Sequence, residues 1–512
     1  MIKILDCTLR DGGYYTNWDF DRKLVDTYIH ACNNLPVDYL EVGYRSVPLE
    51  GYLGEYFYLP LYVMERLKEQ TNKKLVIILN EKDIRPEHVD SLLGPCKGLI
   101  DMVRLAIDPN QFGRAIALAE AVKNMGFEVG FNVMYMSKWK GQKAFLELLP
   151  KVKGVADYFY MVDSYGGVYP QDVKETIQLV KSYIPEVPLG FHGHNNMELA
   201  LINTLTAIEE GCEIVDATIT GMGRGAGNVK TELLLTALNA QGKLEVDFNP
   251  LSKIVDGFAE LQKSYEWGTN LPYMVSGAHS LPQKDVMDWV GKRYYSFNSI
   301  IRALQNQAKG VADNENMLIW NDESIFDEVI IVGGGPSVVD CKDAIVNYLN
   351  TNKKVAIIHA SSKNALIFKS VQNKQFFCLV GNEGHRMEDV FSGDLPLNSI
   401  CILPPSPRKM GTYIPNPLKK MSYELATNSF SDKFQDSHTA IALEIALKLE
   451  AVTIYTVGFD GYSKGLMNEK AQELFAENSY LFEKFSEKSN KKIISLNETS
   501  YNIDSKSIYA FL

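Results

Sequence analysis

Short apolar runs alternate with amphipathic stretches from the N-terminus to about residue 230. The runs Ile2–Asp6, Tyr39–Gly43, Leu75–Leu79, Met102–Ile107, Glu128–Val133, Tyr158–Val162, Leu189–His192 and Ile214–Thr218 predict eight strands. Between them, Arg22–Asn33, Arg114–Met125 and Gln171–Tyr183 carry the spacing of amphipathic helices. Eight such units of roughly 25–30 residues fit a closed parallel (β/α)8 barrel. An open doubly wound sheet is the alternative, but polar residues at the strand ends along the whole series fit the barrel better.

The pattern then changes twice. Residues 1–245 carry the barrel, and residues 246–322 read as a helical extension rich in aromatics. Helices are predicted at Ser252–Tyr265 and Val286–Arg293, with a Gly/Pro interruption over Tyr265–Gly277. This extension is expected to close over one barrel face or to pack on a partner subunit, and a homo-oligomer is the expectation. Over residues 323–512 apolar runs return at Val329–Val332, Val355–His359, Phe376–Val380, Ser399–Leu403 and Val452–Val457, with a helix at Thr439–Lys448. They predict a second, Rossmann-like α/β domain, reached through the polar link Trp320–Asp327.

Composition narrows the function. At 512 residues the chain exceeds a single core, which agrees with two domains. A formal net charge of −11 argues against a nucleic-acid partner, whose phosphates require a basic face. It leaves an anionic small molecule open, because a site can be locally positive. The seven cysteines are odd in number and irregularly spaced, without a CxxC, as expected of reduced thiols in a cytoplasmic protein. The opening MIKILDCTLRDGG reads as a strand running into a polar loop, not as a signal peptide. No run of about 18 apolar residues suggests a membrane span.

The chemistry concentrates in two pieces, Asp6–Gly13 after the first strand and Phe191–Asn196 after the seventh. Strand C-termini of a barrel converge on one face, so Asp11, His192 and His194 are brought toward each other. Where the seventh strand ends and curls inward at Gly193, both imidazoles reach one ion. Two histidines and a carboxylate leave open positions for a chelating substrate. Arg10, next to Asp11, cannot act as a base but can hold an enolate oxygen. Together these parts suit a 2-oxo acid whose C3–C4 bond is made or broken beside a Lewis acid. A lysine Schiff base is the rival route. The sixth strand, Tyr160–Ser164, offers no lysine, and Lys138 and Lys140 fall in a segment that reads as loop.

LDCTLRDGG, VDS at 162–164 and GFHGHNN resemble the DRE-TIM metallolyase superfamily, which includes 4-hydroxy-2-oxovalerate aldolase and the isopropylmalate and citramalate synthases. The segment Gly221–Asn228, GMGRGAGN, is similar to the aldolase pattern rather than that of the synthases, which carry Glu-Arg where this chain has Arg224-Gly225. The resemblance implies a metal-dependent aldolase joining pyruvate and an aldehyde, with Asp11, His192 and His194 binding Mn2+ or Mg2+. It implies Arg10 at the pyruvate enolate, Ser164 at the substrate carboxylate, Glu41 as a supporting or structural acid, and Asn228 lining the site. One position departs from the family. Tyr14 stands where the aldolases carry a histidine that moves the 4-hydroxyl proton, and a phenol, with an ordinary pKa near ~10, is a poorer base. The alternatives are a Claisen-type acyl-CoA synthase of the same superfamily and a non-catalytic binding protein with a vestigial barrel.

In the second domain, Gly333–Ser337 follows a strand and opens a helix, a turn able to offer backbone N–H groups to a phosphate. VGGGPS, DSHTAIALEIA and IYTVGFDGY together resemble the bacterial sialyltransferase-like fold. That resemblance implies a nucleotide-sugar or related phosphate ligand, with Gly335, Ser337, His438 and Asp460 as candidate contacts.

Overall fold

The computed structural model describes residues 2–292, 295–321, 324–391, 399–462 and 469–512. Within the expected link Trp320–Asp327, Asp322 and Glu323 lie outside the described residues, as does Arg293 at the end of the expected helix Val286–Arg293. The chain divides into two compact units, Met1–Gly291 and Lys292–Leu512.

The first unit is a closed barrel of eight parallel strands: β1 Lys3–Asp6, β2 Tyr39–Tyr44, β3 Lys74–Asn80, β4 Met102–Ile107, β5 Glu128–Val133, β6 Tyr158–Asp163, β7 Leu189–Gly193 and β8 Ile214–Ala217. β1 pairs with β8 through Lys3↔Ile214 to Asp6↔Ala217 and closes the ring. Barrel strands are covered on both faces, which is why they read as near-continuous apolar runs. Alternation along each strand sorts the inward residues. Tyr39, Met102, Tyr158 and Ile214 belong to one buried apolar cluster. Two positions further along the same strands stand Glu41, Arg104, Tyr160 and Asp216, all buried. The lumen therefore turns from apolar to charged toward the strand C-termini.

Residues Thr8–Thr16, expected as loop, form a helix directly after β1. Asp6 caps its start, its Oδ1 accepting the Thr8 N–H at 2.9 Å. Gly12 and Gly13 argue against a helix on propensity, but both are there for close packing. A Cβ on Gly13 would stand 2.1 Å from Trp18 Cδ1, and one on Gly12 would stand 2.6 Å from Met222 Sδ. The extension likewise holds more helix than expected. Phe248–Tyr265 packs on Arg22–Asn33, with Phe258 and Tyr28 rings 6.2 Å apart. Leu271–Ala278 is helical in the expected interruption, with its proline in the first turn, where a missing N–H costs nothing.

The second unit holds an all-parallel sheet of eight strands: β9 Glu328–Val332, β10 Val355–His359, β11 Gln375–Cys378, β12 Ser399–Leu403, β13 Ser422–Glu424, β14 Thr453–Val457, β15 Ile493–Ser495 and β16 Asp504–Ser505. Their order is β13-β12-β11-β10-β9-β14-β15-β16. The chain winds outward from β9 to β13, then returns to the other side of β9 with β14. This is a doubly wound sheet with its switch point between β9 and β14. No helix among the described residues is long and apolar enough to cross a membrane.

Candidate active site and metal centre

Asp11 sits on the helix after β1, His192 within β7 and His194 just beyond it; all three are buried. One donor atom of each lies within 4.8 Å of the others. The histidines are two positions apart on an extended chain, so simple alternation puts both on one side, without the inward curl the sequence suggested. Their outer nitrogens are already committed. His192 Nδ1–H donates to Asp216 Oδ2 at 2.7 Å, and His194 Nδ1–H donates to the Asp163 carbonyl at 2.8 Å. A carboxylate and a carbonyl can only accept here, so both rings carry the proton on Nδ1 and leave the Nε2 lone pair free. His192 Nε2 stands 3.6 Å from Asp11 Oδ2. Burial, with His192 beside it, brings the His194 pKa down to about 3, so this ring is neutral at physiological pH.

The carboxylate is equally prepared. Burial alone would raise the Asp11 pKa, but the Arg10 guanidinium, with a hydrogen bond from Asn228, holds it below the usual carboxylate range. Its Oδ1 accepts from Arg10 Nη1, and its Oδ2 accepts from Asn228 Nδ2 at 2.6 Å. Asn228 ends the Gly221–Asn228 loop, which needs glycine: Gly227 has φ +80°, and a Cβ there would stand 1.9 Å from the Gly221 carbonyl oxygen.

Two residues of this network carried no sequence assignment, Arg104 and Asp216. Arg104 donates to Asp216 Oδ2 at 2.6 Å and lies 3.3 Å from Glu41 Oε2. Arg10 Nε donates to the same Glu41 oxygen at 2.6 Å. Glu41 is fully buried between two guanidinium groups, both on its Oε2, and its Oε1 has no partner. Arg10 keeps one nitrogen, Nη2, buried without an acceptor. Ser164 Oγ accepts from the Tyr135 N–H at 2.9 Å, which leaves its own hydroxyl proton free to donate. The Tyr14 hydroxyl lies 3.2 Å from that of Tyr44. Burial pushes the Tyr44 phenol well above its ordinary value. Lys138 donates to the Tyr165 hydroxyl at 3.0 Å and Lys140 to Glu175, and no lysine is buried among the described residues. A second cluster, Cys7, His192 and Asp216, competes as a donor set, but Asp216 is engaged by Arg104 and His192.

Residues 96–257, from before β4 to beyond β8, match the HMGL-like family model. A 4-hydroxy-2-oxovalerate aldolase of Pelotomaculum thermopropionicum is 32% identical over 270 residues, covering 51% of this chain and 76% of the relative. The chain belongs to the HMGL-like family. An oxaloacetate decarboxylase of Mycobacterium tuberculosis is 28% identical over 253 residues, 47% of this chain and 71% of that protein. The crystal structure of the N-terminal domain of a candidate aldolase from Bacteroides vulgatus is 58% identical, with a TM-score of 0.56; the match covers 59% of this chain and all of that one. The HMGL-like barrel of this chain is a carbon–carbon lyase.

The four candidates of the second unit fall into two places. Gly335, Ser337 and Asp460 meet at the switch point. There Gly333 N–H donates to Val457 O, Gly335 N–H to Gly458 O and Ser337 N–H to Asp460 Oδ2. His438 opens the helix His438–Lys448 and pairs instead with Glu383, Nε2 to Oε2 3.4 Å. Both line a cavity of about 360 Å³ beyond the ends of β11 and β12, with Arg386, Arg408, Met410 and Tyr413. Glu383 also accepts from Ser362 N–H at 2.6 Å and from Arg386 at 2.8 Å. Burial alone would raise its pKa, but His438, Arg386 and Ser362 outweigh it and bring the carboxyl down to about 2 from an ordinary 4.5. The folded state thus binds fewer protons than the unfolded chain. The stability from this carboxylate is complete above pH 4.5 and is lost as pH falls toward 2. Glu383→Gln is expected to remove on the order of 2 kcal/mol at pH 7 and nothing near pH 2. Urea midpoints across that pH range measure it, and a pH-independent loss contradicts the assignment.

Proposed function

We propose that the barrel is a divalent-metal-dependent aldolase that makes or breaks the C3–C4 bond of a 4-hydroxy-2-oxo acid, between pyruvate and an aldehyde. The observation that carries this reading is the pair of free Nε2 lone pairs beside an ionised Asp11. The donors are buried, the tautomers are set by Asp216 and the Asp163 carbonyl, and the surrounding cluster sets three carboxylates against two guanidinium groups. Such a set fits Mn2+ or Mg2+ on Asp11, His192 and His194. A bound ion would supply Lewis acidity to a chelating 2-oxo acid.

The chain's own groups supply the rest. In the cleavage direction the 4-hydroxyl gives up its proton and its O–H electrons become the aldehyde π bond. The C3–C4 pair passes into the pyruvate enolate, and C3 then takes a proton. The free Nη2 of Arg10 is placed to donate to the enolate oxygen. Ser164 donates its hydroxyl to the carboxylate. Tyr14 relays the 4-hydroxyl proton, its oxygen taking the substrate proton as its own phenolic proton passes to solvent water, with the Tyr44 hydroxyl 3.2 Å away. The test is exchange of pyruvate C3 protons with deuterated solvent, together with pyruvate release from 4-hydroxy-2-oxo acids, each with metal and with chelator. Both are expected only with metal, and Tyr14→Phe is expected to slow cleavage more than exchange. Absence of exchange with every divalent ion tried rejects the reading.

The tyrosine at position 14 favours one second reading, decarboxylation of a 2-oxo dicarboxylic acid. Loss of CO2 breaks the same bond with no hydroxyl proton to remove; pyruvate formation from oxaloacetate tests it. For the second unit we infer a ligand in the cavity beside Arg386 and His438, of the phosphate-bearing or nucleotide-sugar class. Seven cysteines, none in a disulfide, support a reducing, cytoplasmic setting.

A further inference from the structure

The barrel mouth holds a cation, Arg224, that the mechanism above leaves idle. Arg224 lies in the Gly221–Asn228 loop, four residues before the asparagine that hydrogen-bonds Asp11. The loop is pinned on both sides of it. Tyr15 Oη donates to the Gly225 carbonyl at 2.9 Å, and a Cβ on Gly223 would stand 2.6 Å from Asn228 Nδ2. The Arg224 guanidinium rests over the Tyr14 ring at 5.4 Å. Tyr14 is one helical turn from Asp11, so Arg224 overhangs the place where the 4-hydroxyl is expected.

Among the described residues Arg224 takes part in no hydrogen bond or ion pair, and its Nε is shut off from solvent without a partner. A guanidinium offers five donors in a fixed fork, so a half-buried one without an acceptor keeps donors to spare for a ligand. The buried arginines Arg10, Arg104 and Arg408 are each held by two carboxylates, whereas Arg224 is half-buried and faces the pocket mouth. Lys138, also at the mouth, lies over the Tyr165 ring at 4.8 Å. Tyr135 stacks on that Tyr165 ring, the centroids 5.4 Å apart. The electrophile side of the pocket is thus positive inside a chain of net charge −11.

We propose that Arg224 selects an electrophile carrying an anionic group, a carboxylate or a phosphate, distal to its aldehyde. The proposal rests on the aldolase reading. A fork of donors suits either anion bidentately. Arg224 stacks on the residue that receives the 4-hydroxyl proton, so a bound anion is positioned relative to the reacting oxygen.

The test compares matched aldehydes in pyruvate addition with the whole chain and Mn2+: butanal against succinic semialdehyde, and glyceraldehyde against glyceraldehyde 3-phosphate. The wild-type protein is expected to prefer the anionic member of at least one pair, and the pair that shows it identifies carboxylate or phosphate. Arg224→Met is expected to cut kcat/KM for that anionic aldehyde by about 10- to 100-fold and to remove the preference. Arg224→Lys is expected to restore part of it, since it keeps the charge without the fork. Equal kcat/KM for charged and neutral members in the wild type, or equal loss on both in Arg224→Met, overturns the proposal. Absence of C3-proton exchange in the wild type instead overturns the aldolase reading, and this proposal with it.

Discussion

Replacing His192 with alanine is expected to abolish divalent-ion uptake, C3-proton exchange and aldol cleavage together, with kcat/KM down by about 10³-fold or more. Two donors, Asp11 and His194, remain in place, but the ring removed is the one best held. Its Nδ1 is anchored by Asp216, which is itself held by Arg104. Asp216→Asn is the finer version. The ring stays, yet its Nδ1–H loses a charged acceptor, and ion affinity is expected to fall by about 10- to 100-fold. Excess Mn2+ should then recover activity in Asp216→Asn but not in His192→Ala. Exchange within tenfold of wild type in His192→Ala removes that residue from the site.

Much of this site was legible because its elements are local. β4, β5 and Arg22–Asn33 agree with the sequence reading to the residue, since a strand covered on both faces and a helix covered on one leave plain apolar patterns. Asp11, His192 and His194 stood out because strand C-termini converge. The helix Thr8–Thr16 did not stand out, because its glycines record close contacts with Trp18 and Met222 that no local rule contains. Arg104 and Asp216 left a weaker trace. Each is a charge inside an apolar run, on the face that alternation sends inward; read that way, MVRLAI and IVDA announce a buried ion pair. In the second unit the outermost strands β13 and β16, and β15 beside the latter, are two or three residues long, too short to register as periodic. In the glycine-rich turn, sequence displays the donors but not the carbonyls and carboxylate across the switch point that accept from Gly333, Gly335 and Ser337.

Arg104→Met is expected to destabilise the barrel by about 3–5 kcal/mol, the largest stability change of any single substitution considered. Methionine nearly matches arginine in length, so the loss comes from charge and not from a void. Arg104 is fully buried, its guanidinium 4.0 Å from the Tyr160 ring, and it is shared between Glu41 and Asp216. Removing it leaves Asp11, Glu41 and Asp216 facing Arg10 alone. Arg104→Lys should lose less, because a buried ammonium still neutralises one carboxylate but cannot reach both. The urea midpoint of the whole chain measures these losses, and a change under about 1 kcal/mol in Arg104→Met refutes the assignment. The same charge balance predicts a coupling. A divalent ion at Asp11, His192 and His194 relieves more repulsion when Arg104 is absent, so saturating Mn2+ should stabilise the variant by more than it stabilises the wild type. Equal stabilisation would mean that the ion binds without contact with the Glu41–Arg104–Asp216 cluster, and the buried charges would then serve the barrel alone.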